Sequence, residues 1–108
     1  MIYLATAYSY DPEEGYREAV KAVAHFMRQR IPVFSPIVHC HQAAKDYGLP
    51  MDTKWWLVVD KKYIDACDEV WVWKDWGGYW QDSRGVCAEV DYAKATGKPV
   101  RYIDSDTA

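Results

Sequence analysis

The chain has 108 residues, half of them hydrophobic, which suits one domain with a single core. Its formal net charge is -3, and its basic residues are scattered instead of forming the stripe that nucleic-acid binding needs. The longest apolar run, Trp55–Val59, is far too short to cross a bilayer. We therefore expect a single domain over residues 1–108, with neither a nucleic acid nor a membrane as partner.

The cysteines and the first residues bear on cellular location. The opening run, MIYLA, lacks the basic leader of a signal peptide. The cysteines are odd in number and show no CxxC spacing, which favours reduced thiols over disulfides. These are Cys40, Cys67 and Cys87. We expect a cytoplasmic protein.

Hydrophobic periodicity in the first half of the chain predicts two strands and two helices. In chain order these are a strand over 2–7, a helix over 13–30, a strand over 31–35 that Pro36 ends, and a helix from a cap at Asp52 to about Cys67. Residues 36–50 leave two alternatives open, a long loop or a short helix around Gln42–Tyr47.

The second half continues the alternation of strand and helix. It predicts a strand over 69–74, a loop over 75–82, a helix from Ser83 to Gly97, a strand over 99–103 and a frayed tail over 104–108. This order predicts a small α/β three-layer sandwich of the flavodoxin or Rossmann type, with a parallel sheet of four to five strands in order 2-1-3-4. Ligands of such sheets bind at the carboxyl ends of the strands.

The segment from Ser83 to Ala93 has the strongest chemical pattern. It follows the third predicted strand and opens a helix, where free N–H groups and the Ser83 hydroxyl favour an anion. Gly85 would let a ligand approach the backbone closely. Glu89 leans toward the same end of the helix, so its carboxylate is a candidate nucleophile. The alternative is a solvated surface glutamate.

The run S-x-G-V-x-x-E-x-x-x-A from Ser83, followed by GKPV from Gly97, resembles the catalytic segment of the nucleoside 2-deoxyribosyltransferases. It resembles the related 2'-deoxynucleoside 5'-monophosphate N-glycosidases even more closely. The resemblance implies that Glu89 is the nucleophile and that Tyr3, in the first strand, orients it. It also implies that Asp60 contacts or protonates the base, with Asp68 as the second of a paired set of aspartates.

The chain departs from these families at two positions of the predicted pocket. The turn after the first strand, Thr6–Tyr10, lacks the glycines that face phosphate in the glycosidases, so Ser9 would have to substitute there. Ser83 stands where the transferases place an acidic residue, which favours a phosphate-bearing ligand. The W-x-D-S-x-G run from Trp80 is similar to that of a smaller uncharacterised set of domains.

Residues near the ends of the predicted strands complete the expected substrate site. Besides Ser83 and Gly85, these are Ala5, Tyr8, Ser9, Ser35, His39 and Trp76. His39 forms an H-x-H pair with His41, but no third ligand stands at a sensible spacing, so we expect pocket lining by both histidines and no metal.

The resemblance, together with these residues, implies cleavage or transfer at the N-glycosidic bond of a (deoxy)nucleoside or nucleoside 5'-monophosphate, with no cofactor. The alternatives are a nucleotide-binding or sensing domain without turnover, and an aromatic-rich interaction module. Six Trp and nine Tyr are more than so small an interior can hold. We therefore expect a homodimer or larger homo-oligomer, with aromatic residues of the 47–63 or 76–80 region at its interface.

Overall fold

The computed structural model describes residues 1–106, which form four strands and five helices. In chain order the elements are β1 (Ile2–Ala5), α1 (Pro12–Arg28), β2 (Val33–Phe34), α2 (Pro36–Tyr47), α3 (Thr53–Asp65), β3 (Glu69–Trp73), α4 (Tyr79–Asp82), α5 (Arg84–Ala95) and β4 (Val100–Ile103). Within residues 1–106, no helix combines the length and apolarity needed to cross a bilayer.

The strands form one all-parallel sheet in the order β2-β1-β3-β4. β1 is central and pairs with β3 along its whole length, from Ile2 opposite Glu69 to Ala5 opposite Val72. The α/β class, the parallel sheet and the strand order predicted from the sequence are confirmed, with four strands. All four carboxyl ends therefore open toward the same edge of the sheet.

Side chains alternate across the two faces of the sheet, and each face has its own apolar cluster. Tyr3 and Val70 pack with residues of α3 and α5 on one face. Leu4 and Trp71 pack with Phe26 of α1 on the other face. Because successive strand residues point to opposite faces, one buried strand supplies both clusters and produces the three-layer arrangement.

Four helices begin at a side chain that caps the first turn. The oxygen of each capping residue accepts a hydrogen bond from a backbone N–H two or three residues ahead, at 3.1–3.2 Å. The caps are Asp11, Ser35, Asp52 and Ser83. Three of them stand after β1, β2 or β3, so the capped helix ends line the carboxyl edge of the sheet.

Several predicted boundaries are wrong. Residues 36–47 are helical throughout, because Ser35 caps the first turn and Pro36 has the backbone angle of a first helical residue. The 75–82 loop contains the short helix α4. β1 stops at Ala5, where its pairing ends, and β2 has only two residues. In the predicted frayed tail, the Ser105 N–H donates to Asp75, and residues 107–108 lie outside the described residues.

Candidate active site

A cleft opens at the carboxyl edge of the sheet. Its walls come from the turn after β1, the inner faces of α2 and α3, and the first two turns of α5. The α2 and α3 walls are largely apolar, with Ile37, Met51, Trp56 and Leu57 facing the opening. Polar groups line the turn after β1 and the start of α5, and His41 of α2 and Asp60 of α3 add two more to the otherwise apolar walls.

Glu89 lies on α5 and is 6% exposed, with its carboxyl group in the cleft. The hydroxyl of Tyr3, a fully buried residue of β1, donates a hydrogen bond to this carboxylate. The pKa of Glu89 is raised to about 8, chiefly by burial and then by the nearby charge of Asp60, while the hydrogen bond from Tyr3 acts in the opposite direction. The alternative of a solvated surface glutamate is therefore wrong.

Asp60 faces the cleft from α3, and the pKa of its carboxyl group is raised to about 6, chiefly by burial. One of its oxygens, Oδ1, is buried and has no hydrogen-bond partner among the described residues. The pKa of Tyr3 is itself raised well above its ordinary value by burial and by the two carboxylates. Tyr3 therefore remains a neutral hydrogen-bond donor between two acidic groups.

Ser83 and Gly85 both line the cleft at the start of α5. The Ser83 hydroxyl accepts a hydrogen bond from the Val86 N–H at 3.2 Å, so it has a structural role as well as a position facing the ligand space. A methyl group added at Gly85 would meet only the Ser83 oxygen, at 3.8 Å. Packing within the protein therefore does not require glycine at position 85. A ligand close to this backbone would require it.

A second polar cluster contains Tyr8 and His41, which line the cleft, and Glu13, which does not. The Tyr8 hydroxyl and His41 Nδ1 are 2.7 Å apart, and His41 Nε2 lies 3.4 Å from Glu13 Oε1. The His41 ring stacks on Tyr16, with ring centroids 4.3 Å apart. We call Tyr8, His41 and Glu13 the histidine relay. The sequence analysis placed Tyr8 and His41 near the pocket but did not predict the relay, because its residues come from three segments that meet only in the fold.

Of the other predicted substrate-binding residues, only Ser9 lines the cleft. Ala5 is buried in the apolar cluster under the sheet, and Ser35 is buried with its hydroxyl capping α2. His39 packs against Phe34 and Tyr63.

Trp76 does not line the cleft either. It packs against Tyr10 and Tyr79, with ring centroids 6.2 and 4.9 Å away. Tyr10 and Tyr79 themselves stack at 4.1 Å. This aromatic contact joins the turn after β1 to the segment after β3, so Trp76 supports the loops that border the cleft.

The two histidines of the H-x-H pair lie on different sides of α2, as a spacing of two residues on a helix requires. His41 faces the cleft and His39 does not. Among residues 1–106, no three His, Cys, Asp or Glu side chains are grouped closely enough to hold a metal ion.

The fold and the site together define the class of protein. It is a parallel α/β domain with two acidic side chains in a cleft at the carboxyl edge of its sheet. The chain belongs to the DUF1937 family, a domain of unknown function, whose family model matches residues 1–105. A search of curated proteins found no match.

Proposed function

We propose that the protein cleaves or transfers the N-glycosidic bond of a (deoxy)nucleoside or nucleoside 5'-monophosphate, with Glu89 as the nucleophile. The observation that carries the proposal is the position of Glu89, a buried carboxylate that faces the cleft while Tyr3 donates a hydrogen bond to it. A carboxylate held in this way is suited to attack an electrophilic sugar carbon.

The apolar wall of the cleft supports a nucleobase as part of the ligand. Trp56 is half-buried there, and its ring nitrogen donates a hydrogen bond to the Pro50 carbonyl at 2.5 Å. This bond holds the indole in one orientation, with Met51 and Leu57 beside it along the wall. A fixed aromatic ring next to apolar side chains is a favourable surface for the flat face of a base.

The two carboxyl groups supply the nucleophile and the acid of the first step. Because their raised pKa values are about 6 and about 8, the pair holds roughly one proton near neutral pH. The proton lies mainly on Glu89, whose pKa is the higher of the two, and the reactive arrangement is the minor form with the proton on Asp60 and the negative charge on Glu89, which the hydrogen bond from Tyr3 stabilises. Glu89 bonds to C1', the bond from C1' to the base nitrogen breaks, and the base leaves with the proton from Asp60.

The product of this step is a sugar joined to Glu89 by an ester bond. Attack by water completes hydrolysis, and attack by a second base completes transfer. Each outcome restores the Glu89 carboxylate, so the cycle needs only side chains of the chain itself.

The test is incubation of the protein with a panel of nucleosides, deoxynucleosides and their 5'-monophosphates, scored for free base. We expect base release that Glu89→Gln abolishes without loss of the fold. The matched control is Glu14→Gln, which replaces a glutamate paired with Arg17 on α1, away from the cleft. Release that survives Glu89→Gln within a few-fold would remove Glu89 from the mechanism.

A second candidate function is nucleotide binding without turnover. It is favoured by the pKa of about 8 at Glu89, because a protonated carboxyl group donates a hydrogen bond and is a poor nucleophile. Thermal stabilisation by a nucleotide, with no base released by concentrated protein, would support this function over the first.

A further inference from the structure

The histidine relay places a hydroxyl, an imidazole and a carboxylate in series, the first two in the cleft wall and the carboxylate of Glu13 outside it. The Tyr8 hydroxyl lies 2.7 Å from His41 Nδ1, and Glu13 lies on the other side of the ring, 3.4 Å from Nε2. Tyr8 and His41 line the same cleft as Glu89 and Asp60. Enzymes use a hydroxyl, a histidine and a carboxylate in this order to remove a proton from the hydroxyl. The histidine accepts the proton, and the carboxylate stabilises the imidazolium that forms.

The position of Glu13 determines the direction of the hydrogen bonds. An ionised carboxylate only accepts, so the favourable contact requires a proton on His41 Nε2. In the neutral ring Nδ1 is then the acceptor, and the Tyr8 hydroxyl donates to it. The Tyr8 oxygen keeps its lone pairs free to accept a hydrogen bond from a molecule in the cleft.

The surrounding structure holds the relay in place. His41 is 5% exposed and stacks on Tyr16, while Lys45 Nζ lies 3.2 Å from the relay carboxylate, Glu13. Gly15 allows α1 to approach the turn that carries Tyr8, because a Cβ at position 15 would come within 2.8 Å of the Tyr8 Cα. The relay is therefore rigid at its imidazole and at the backbone of its hydroxyl residue.

Thr6 adds a second polar group next to the relay. It is 6% exposed and lines the cleft, and its hydroxyl oxygen has no hydrogen-bond partner among the described residues. Buried hydroxyl groups in folded proteins are nearly always paired. The Thr6 oxygen, which is covered by the protein, therefore keeps an unused hydrogen-bonding capacity two residues before Tyr8 in the same wall.

We propose that the histidine relay activates the water molecule that hydrolyses the sugar ester on Glu89, with Tyr8 as the catalytic residue and His41 and Glu13 as positioning residues. This inference rests on the proposed function. One proton of the water passes to the Tyr8 oxygen as the Tyr8 proton passes to His41 Nδ1. The water oxygen bonds to C1', the bond from C1' to the Glu89 oxygen breaks, and its electron pair returns to Glu89. The resulting imidazolium faces Glu13 and later loses its proton to solvent.

The Tyr8 hydroxyl is suited to accept one proton as it donates another, without remaining ionised in between. Burial raises the pKa of Tyr8, and Glu13 and Cys40 raise it further, so a long-lived tyrosinate is disfavoured. Asp60 has the complementary role in the first half of the cycle, where it protonates the departing base. The relay and Asp60 would thus serve different half-reactions.

The two half-reactions can be measured separately. Exchange of a labelled free base into the nucleotide uses only the first half and its reverse, whereas net release of sugar also needs water. The probe is the deoxynucleoside 5'-monophosphate that the wild type cleaves fastest in the panel. The variants are Tyr8→Phe, His41→Gln and Glu13→Gln, with Tyr47→Phe as control, because Tyr47 is 84% exposed and lies outside the cleft wall.

We expect Tyr8→Phe to lower steady-state hydrolysis roughly 100-fold, the usual effect of losing a general base, while base exchange stays within about threefold of wild type. Mass spectrometry of the quenched variant should then detect the sugar bound to Glu89. His41→Gln and Glu13→Gln should lower hydrolysis selectively but less strongly. Tyr47→Phe should change neither rate.

Three results would overturn the inference. Equal losses of exchange and hydrolysis in Tyr8→Phe would indicate a structural role for the relay. Unchanged hydrolysis in Tyr8→Phe would assign water activation to Asp60, while the proposed function would stand. Absence of base release and of exchange by the wild type at high protein concentration would reject the proposed function and the relay's role with it.

Discussion

The hydroxyl of Tyr3 donates a hydrogen bond to the carboxylate of Glu89, although the two residues are 86 positions apart in the chain. β1 places Tyr3 on the face of the sheet against which α5 packs, and α5 brings Glu89 to it. The bond stabilises the charged form of a carboxyl group whose surroundings otherwise favour the neutral form.

Tyr3→Phe removes this donor and leaves the ring in place. A hydrogen bond to a charged group is worth about 1.5–3 kcal/mol, so we expect base release at neutral pH to fall by about 10- to 100-fold. The pKa of Glu89 should rise further, which moves the acid limb of the rate profile to higher pH. The control is Tyr92→Phe, which removes a surface hydroxyl bonded to Asp65 at 2.6 Å. Equal effects of the two substitutions would contradict a special role for Tyr3.

The pH dependence of kcat/KM should be bell-shaped with its maximum near pH 7. Below about pH 6 both carboxyl groups of the pair are protonated and the nucleophile is lost, and above about pH 8 both are ionised and the acid is lost. Asp60→Asn removes the acid, so the maximum rate should fall and the alkaline limb should disappear, leaving one rise as Glu89 ionises, at a pKa below about 8 because the Asp60 charge no longer raises it. An alkaline limb that stays in place would show that Asp60 is not the acid.

Burial of Glu89 also makes the stability of the fold depend on pH. Its folded-state pKa of about 8 exceeds the ordinary 4.5, so the unfolded state ionises first and the free energy of unfolding falls as pH rises through this window. Glu89→Gln removes the titration. The variant should match wild type near pH 4.5 and be more stable by about 2–4 kcal/mol at pH 8. Urea unfolding at several pH values measures this difference, and a constant difference would contradict it.

Ser83 has two roles that suitable substitutions can separate. Ser83→Ala removes the cap of α5 and should cost about 1 kcal/mol of stability, as should the cap control Ser35→Ala, which does not border the cleft. Ser83→Asp keeps a capping oxygen but adds a negative charge to the cleft. If a 5'-phosphate binds there, Ser83→Asp should weaken nucleotide binding and leave nucleoside binding nearly unchanged in calorimetric titrations. Equal losses for both ligands would count against a phosphate role.

Self-association remains a prediction, and the exposed apolar side chains indicate which surface to test. Met51, just before α3, and Trp55 and Val58, on α3, are 50%, 42% and 66% exposed, and Met51 also borders the cleft. We expect light scattering at micromolar concentration to give a mass above the 12.5 kDa of one chain, and Trp55→Glu to reduce it. A mass near 12.5 kDa that persists as concentration rises would contradict self-association.

The strands and the order of the sheet could be predicted because short apolar runs and right-handed crossovers leave few alternatives. For residues 36–50 the sequence left a long loop or a short helix around Gln42–Tyr47 open, and the first turns of the helix over 36–47 were missed for a physical reason. Pro36 interrupts a strand and starts a helix equally well, and only the capping bond from Val38 to Ser35 distinguishes the two roles. Local sequence does not reveal that bond.

The candidate site likewise contains residues that could be predicted from the sequence and residues that could not. Glu89, Asp60 and Ser83 could be predicted because a motif and its resemblance placed them, and they do line one cleft. The link between His41 and Glu13 could not, because it depends on how α1 packs against α2. Trp76 was assigned to the pocket because it is aromatic and near a strand end, yet ring contacts with Tyr10 hold it elsewhere.

The central position of β1 has a consequence for biosynthesis. β1 precedes both of its partners in the chain, and β3, which pairs with its full length, ends only at Trp73. At roughly 5–20 residues per second, several seconds separate the synthesis of these two strands. Throughout that interval an apolar strand has an unpaired edge, which is a template for association with other chains. The yield of folded protein should therefore depend on chaperones that shield nascent chains, more than on the stability of the finished domain.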